Sequence, residues 1–129
     1  MTAAVRPPHM DTQPLTAEQA VEQANLWTVT ARPIVKAIWH IEDAECEVRQ
    51  GCDDRTWSEV RPILSASRRD LREMLDGLRE NAICDVLPRH PDVETGTDEE
   101  WEAQEAFDEQ VRREVTTVDA LIKRMEAEA

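Results

Sequence analysis

Residues 17–48 read AEQAVEQANLWTVTARPIVKAIWHIEDAECEV, and one series of positions recurs through them at alternating steps of three and four. The series is Ala17, Ala20, Ala24, Trp27, Ala31, Ile34, Ile38, Ile41, Glu45 and Val48. Steps of three and four place side chains on one face of an α-helix. Pro33 lacks an amide N–H and clashes with the preceding turn, yet the spacing keeps its phase across it. We predict a kinked, continuous helix over about residues 16–50, with two abutting helices as the alternative.

Two further apolar stripes predict helices over about residues 57–87 and 98–127. The first stripe is Trp57, Val60, Leu64, Ser67, Leu71, Leu75, Leu78, Ala82 and Val86. The second is Trp101, Phe107, Val111, Val115, Val118, Ile122 and Met125. Each of the three helices is predicted to begin with a capping box, in which a threonine is followed three residues later by Gln or Glu. The three threonines are Thr16, Thr56 and Thr97.

The composition agrees with an all-α fold, because three Gly, one Phe and no Tyr are poor material for a sheet. Short connections between long helices favour antiparallel neighbours. We therefore predict an elongated antiparallel three-helix bundle with long, kinked helices over residues 16–129, as one domain. Its apolar stripes are narrow, so self-association into a homo-oligomer could complete the bundle. Residues 1–15, which include three prolines, are predicted to be a flexible arm.

The net charge of −13 comes from 28 acidic and 15 basic residues. Nine of the acids lie between residues 92 and 110, where there is no Lys or Arg. Such a surface repels nucleic acid and anionic membranes, so we expect neither to be bound directly. Three cysteines without a CxxC pair suit a reducing compartment, and no stretch is apolar enough for a signal peptide or membrane span. We therefore expect a cytoplasmic protein.

Asp98, Glu102, Glu105 and Glu109, here called the acidic row, step by four, three and four residues along the third predicted helix. That spacing gives a solvent-facing row about 16 Å long. One interpretation is a docking surface for a basic partner protein, with Trp101 adding an apolar contact. The chain would then be a small inhibitor or adaptor without a cofactor, and its target could be a nucleic-acid-binding site. The other interpretation is merely a solvated helix start, which acids stabilise through the helix dipole.

A second set of carboxylates suggests a different function. Glu45 stands on an apolar stripe, where an unpaired carboxylate is costly, and a basic partner such as Lys123 or Arg124 would offset that cost. The alternative is a metal site, because Glu42 with Glu45 forms ExxE and Glu73 with Asp76 forms ExxD. In this the chain resembles the MazG-like all-α nucleoside triphosphate pyrophosphatases. The resemblance implies that the four carboxylates hold Mg²⁺ bridged to a triphosphate.

Arg68, Arg69 and Arg72 form a basic patch on the second predicted helix. They could pair with acids of a neighbouring helix, or with the acidic row of another subunit. A purely structural or assembly subunit is the third interpretation of the chain. The His and Cys spacings match no zinc pattern, so we expect incidental roles for those residues.

Overall fold

The computed structural model describes residues 14–129, and these form five α-helices and no strand. The helices are α1 (Ala17–Ala24), α2 (Trp27–Gly51), α3 (Asp54–Val86), α4 (Asp98–Glu114) and α5 (Val118–Glu128). They make three long stretches, α1 with α2, then α3, then α4 with α5, which pack against one another. The prediction of an all-α three-helix bundle is confirmed. Most of the predicted flexible arm, residues 1–13, lies outside the described residues, and Leu15 packs against the core.

Side-chain caps explain where four of the five described helices begin, while α2 follows Leu26 without one. Thr16 and Gln19 form the predicted capping box, with the Thr16 hydroxyl accepting from the Gln19 amide and the Gln19 side chain accepting from the Thr16 amide. The second predicted box is wrong, because Asp53 caps α3 by accepting from the Thr56 amide at 2.8 Å. The helix predicted for 57–87 therefore starts three residues earlier, at Asp54. Thr97 accepts from the Glu100 amide and caps α4, but the Glu100 side chain does not accept from the Thr97 amide, so only half of the predicted box forms.

The first long helix is interrupted, but not at its proline. Pro33 lies inside α2, which runs through it without a break. The continuous helix predicted for 16–50 is instead broken at Asn25 and Leu26, between α1 and α2. Pro33 is the seventh residue of α2, so it removes one amide from the helical ladder and leaves the Val29 carbonyl without that donor, yet the helix is not broken there.

The third long helix is interrupted as well, so the prediction of one helix over 98–127 needs correction. α4 ends at Glu114, Val115 adopts an extended conformation, and Thr117 caps a new helix by accepting from the Ala120 amide. α5 then follows as a separate helix of eleven residues. The apolar stripe passes through both helices, which is why the spacing alone gave no sign of the break.

The two breaks are hydrogen-bonded to each other and to the unbroken helix α3. The Thr116 amide donates to Asn25 Oδ1 at 2.7 Å, which joins the first break to the second. Arg79 of α3 donates from Nε to the Thr116 carbonyl at 2.9 Å and from Nη2 to the carbonyls of Arg112 and Val115 at 2.8 and 3.1 Å. These contacts satisfy polar groups that the helix ends leave without intrahelical partners. We call this arrangement the latch.

The buried core lies on both sides of the latch, but it does not run the full length of the bundle. Its largest fully buried side chains are Val35, Leu75, Ile83, Val111, Val115 and Leu121. Residues 39–74 contain no fully buried side chain. The core ends there because the third stretch, α4 with α5, is too short to cover the rest of α2 and α3. Its last helix ends at Glu128, which pairs with Arg32 in the first half of α2. Ile38 is the last buried residue of α2, and from there to Gly51 α2 and α3 continue as a two-helix hairpin for about 20 Å.

Candidate functional site

The acidic segment begins in the connection from α3 to α4, which folds into a tight turn. Asp92 Oδ1 accepts from the amides of Glu94 and Thr95 at 2.8 and 3.2 Å, and these bonds lower the pKa of the Asp92 carboxyl. The Gly96 amide donates to the Asp92 carbonyl at 2.7 Å. The turn delivers the chain to Thr97, the cap of α4, and so fixes the direction in which the acidic row projects.

Trp101 stands on the surface of this region and stacks on His90 from the preceding loop. Their ring centroids are 5.9 Å apart with an interplanar angle of 21°, and Trp101 is 37% exposed. Gly96 lies beneath the indole. A Cβ on Gly96 would meet the Asp92 carbonyl oxygen at 2.5 Å and Trp101 Nε1 at 3.0 Å. The close approach therefore requires glycine at this position.

Gln104 holds the His90 ring in place. Its side-chain amide Nε2 donates to the Pro88 carbonyl at 2.9 Å, and its Oε1 lies 3.1 Å from His90 Nδ1. An amide oxygen only accepts, so this contact is a hydrogen bond in the tautomer whose hydrogen is on Nδ1 of His90, and it connects the ring to α4.

Carboxylates surround the aromatic stack. Asp98, Glu102 and Glu105 line, with His90 and Trp101, a shallow cleft of about 440 Å³. Glu109 lies one turn further along α4 and is also exposed. Within residues 14–129 none of the four acidic-row residues forms a salt bridge.

Asp108 behaves differently from the acidic row, although it lines the same cleft. Arg112 donates to it across one turn of α4, and Arg112 also donates to both oxygens of Glu80 on α3 at 2.8 and 3.0 Å. The hydrogen bond from Arg112 holds the pKa of Glu80 below its ordinary value. Asp108 is thus a structural acid, while the acidic row has no basic partner among the described residues.

The aromatic part of the site differs from the sequence prediction. Trp101 was placed on the core stripe with Phe107, but only Phe107 packs against the core, where it is half-buried. α4 turns Trp101 outward toward the loop, and the second aromatic contact is His90. From the sequence, His90 was expected to have an incidental role and Gln104 was not singled out. The one local signal was the pair of prolines, Pro88 and Pro91, which restrict the backbone on either side of the histidine.

Glu45 is ion-paired, but not with the residues expected from the sequence. Nη1 of Arg68 lies 3.3 Å from both of its carboxylate oxygens and donates to Oε2, while the buried Oε1 receives no hydrogen bond. Lys123 and Arg124 belong to α5, and neither forms a salt bridge with Glu45. A base on the facing helix α3 takes their place.

The four carboxylates of the ExxE and ExxD pairs do not form a common ligand set. Glu42 and Glu73 line one cleft with several arginines, Glu45 faces Arg68, and Asp76 does not line that cleft. Within the described range no group of three or more His, Cys, Asp or Glu side chains could hold a metal ion. The geometry therefore lends no support to a magnesium centre at Glu42, Glu45, Glu73 and Asp76.

Comparison of the chain with protein-family models, characterised proteins and solved structures gives no match. Among the described helices, none is both long enough and apolar enough to cross a membrane. Cys46, Cys52 and Cys84 are all free thiols.

Proposed function

We propose that this chain is a small acidic interaction protein, an inhibitor or adaptor that docks on a basic surface of a partner protein. The observation that carries the proposal is the arrangement around Trp101. An exposed aromatic stack, held in one orientation by Gln104 and Gly96, stands among carboxylates that have no basic partner in residues 14–129.

The unpaired state of the acidic row favours binding over a structural role. An arginine or lysine of a partner need not displace an internal base before it reaches Asp98, Glu102 or Glu105. Complementary charge speeds the encounter, and an exposed tryptophan near the centre of an interface is the type of residue that slows dissociation. One face of α4 thus offers both charges that speed association and an aromatic side chain that slows dissociation.

The spacing of the row suggests what kind of basic surface would fit. Carboxylates on successive helical turns are about 5–6 Å apart, which is close to the separation of phosphates along a nucleic-acid strand. A basic surface that binds nucleic acid would therefore find similarly spaced negative charges here. We propose such a surface as the target, and competition with its nucleic acid as the consequence.

A charge-reversal experiment tests the docking surface. Lysine at positions 98, 102, 105 and 109 should abolish binding to a partner captured from the native cell, while circular dichroism shows unchanged helicity. The matched control places lysine at Glu18, Glu22, Glu47 and Glu59, four other helical and exposed acids without a salt bridge. The two variants have the same net charge. Equal loss in both would show that binding depends on total charge and not on the acidic row.

We also propose that the protein is cytoplasmic and self-associates. Free thiols suit a reducing compartment. Several large apolar side chains are more than half exposed, and no third helix within residues 14–129 covers the hairpin beyond α5. The exposed residues are Leu26, Val29, Ile63 and Met74. Sedimentation velocity checks the second point, since a single 14.8 kDa species at every concentration would contradict it.

A further inference from the structure

The pair formed by α2 and α3 has one side that α4 and α5 do not cover. α2 and α3 pack against each other, and α5 lies on one side of them, where its Ile122 lines a cleft with Trp39 of α2 and Arg72 of α3. Helical phase places Thr30 of α2 and Leu78 of α3 on the opposite side, and these two residues line a shared groove. Among the described residues that groove is lined by 23–30 and α3, with none from α4 or α5.

The uncovered side continues along both helices as two stripes without charge. In phase with Thr30, the α2 stripe is Thr30, Ile34, Ala37, Ile41, Ala44 and Val48. In phase with Leu78, the α3 stripe is Val60, Ile63, Ser67, Leu71, Met74 and Leu78. We call the two stripes together the back face. No position on it is charged, although 33% of the chain is, and Ile63 and Met74 are 66% and 52% exposed.

The distribution of charge indicates which partner suits the back face. A surface without charge offers nothing to the basic partner expected at the acidic row. Two copies of this chain repel each other through a net charge of −13 each, but the charge is uneven. Residues 75–129 contain 16 acids and 6 bases, whereas residues 39–74 contain 9 acids and 6 bases. Contact through the back face therefore brings two copies together where repulsion is weakest.

The α2 stripe also alternates large and small side chains in a way that fits a second copy of itself. In an antiparallel pair of α2 helices with a two-fold axis at residue 39, positions equally far before and after residue 39 face each other. Ala37 then faces the partner's Ile41, and Ile34 faces the partner's Ala44. Each large side chain meets a small one, which is the arrangement that lets two facing layers interdigitate.

We propose that the back faces of two copies pack together in an antiparallel, two-fold symmetric dimer. The proposal rests on the self-association proposed above and names its surface. The α2 stripe is about 27 Å long and two helices are about 20 Å wide, so each copy covers roughly 500 Å². The resulting total of about 1,000 Å² is near the lower limit for a specific interface, so the dimer is reversible and depends on concentration.

Sedimentation equilibrium of the full chain, with one added charge, tests the surface. Met74 follows Arg72 and Glu73, which line the cleft beside Trp39, so it lies at the level of the two-fold axis. Met74→Glu should weaken dimerisation by roughly tenfold or more, because the carboxylate would lose its water in an apolar interface. Val93→Glu is the matched control, since it adds the same charge at a side chain that is 88% exposed in the loop before α4.

An exchange of large and small side chains tests the pairing itself. Ala37→Ile should weaken dimerisation by overpacking, and Ile41→Ala should weaken it by leaving a cavity. The double variant again places a large side chain opposite a small one, so its dimerisation constant should return to within about threefold of the parent value. Circular dichroism checks that all three variants keep the helicity of the parent.

The outcomes separate this interface from the other proposals. Dimerisation of the parent that survives Met74→Glu, or that falls equally with Val93→Glu, would overturn the back face and leave self-association to another surface. A folded double variant that dimerises no better than the single variants would overturn the antiparallel pairing. A single 14.8 kDa species for the parent at every concentration would overturn the dimer and self-association together, while docking at the acidic row keeps its own test.

Discussion

Arg79 is the residue on which the join between the helical stretches depends most. Its half-buried guanidinium donates to three main-chain carbonyls at the end of α4. Replacing Arg79 with Met keeps the apolar stem but leaves those carbonyls without their charged donor. We expect the free energy of unfolding to fall by about 2–3 kcal/mol, the cost of losing hydrogen bonds to a charged group. Urea denaturation measures it.

The comparison for Arg79 is Arg113→Met on the exposed side of α4. That change should alter the free energy of unfolding by less than about 0.5 kcal/mol, as is usual for surface positions. If Arg79→Met proved equally mild, water would be satisfying the α4 carbonyls and the latch would have little energetic weight.

Replacing Gly96 or Gly77 with alanine should change the free energy of unfolding in opposite directions. A Cβ at Gly96 would lie 2.5 Å from a backbone oxygen, so Gly96→Ala must displace the turn and the Trp101 ring above it. We expect the free energy of unfolding to fall by about 1–3 kcal/mol, as for overpacked sites. The NMR signal of the Trp101 indole N–H should also shift. Gly77 lies within α3 with nothing within 4 Å of a Cβ, so Gly77→Ala should stabilise by about 0.5–1 kcal/mol. Thermal unfolding of both variants checks the two signs.

At the scale of the helices, ion pairing between α3 and α4 makes stability depend on pH. The pKa of Glu80 in the folded state is lowered by the hydrogen bond from Arg112, below its ordinary value of 4.5. A lowered folded-state pKa contributes stability above the ordinary value, and that stability is lost as the pH falls through the folded-state value. Asp53 and Asp92 have lowered pKa values through hydrogen bonds from backbone amides and act in the same direction.

We therefore expect the urea midpoint to be steady near pH 7 and to fall below about pH 4.5. Glu80→Gln should reduce stability at pH 7 by less than about 1 kcal/mol, because the Glu80 side chain is half exposed. Below pH 4.5 the difference in stability between the variant and the parent should narrow as the pH falls. A difference that persists unchanged at pH 3 would mean that the Glu80 charge is not responsible.

The helices show what sequence can and cannot predict for this fold. Their existence follows from local spacing, and so do the starts at Thr16 and Thr97, whose partners are three residues away. The breaks cannot be predicted from local spacing. The break after α4 is stabilised by Asn25 Oδ1, which accepts from Thr116, 91 positions away along the chain. The same limit applies to the site, where the acidic row was predicted from spacing but the outward direction of Trp101 depends on a loop histidine.

For the molecule as a whole, the charge of −13 predicts how binding should respond to salt. Raising the ionic strength from about 0.05 to 0.5 M shortens the screening length several-fold, so the association rate with a basic partner should fall steeply. The dissociation rate should change far less, because contacts at Trp101 are short-range. Stopped-flow mixing separates the two rates. An association rate indifferent to salt would argue against electrostatic docking.

The latch also bears on the order in which the chain folds. α2 and α3 are joined by only two residues, Cys52 and Asp53, so their pairing closes a small loop at little entropic cost. The bond from Thr116 to Asn25 closes a far larger loop. It needs α3 to be in place first, because Arg79 of α3 donates to the carbonyl of the same Thr116. We therefore expect the hairpin to form first and the latch to close late on the folding pathway. Interactions formed after the transition state govern how fast the native state opens, so Asn25 and Arg79 set the lifetime of the folded protein more than its speed of formation.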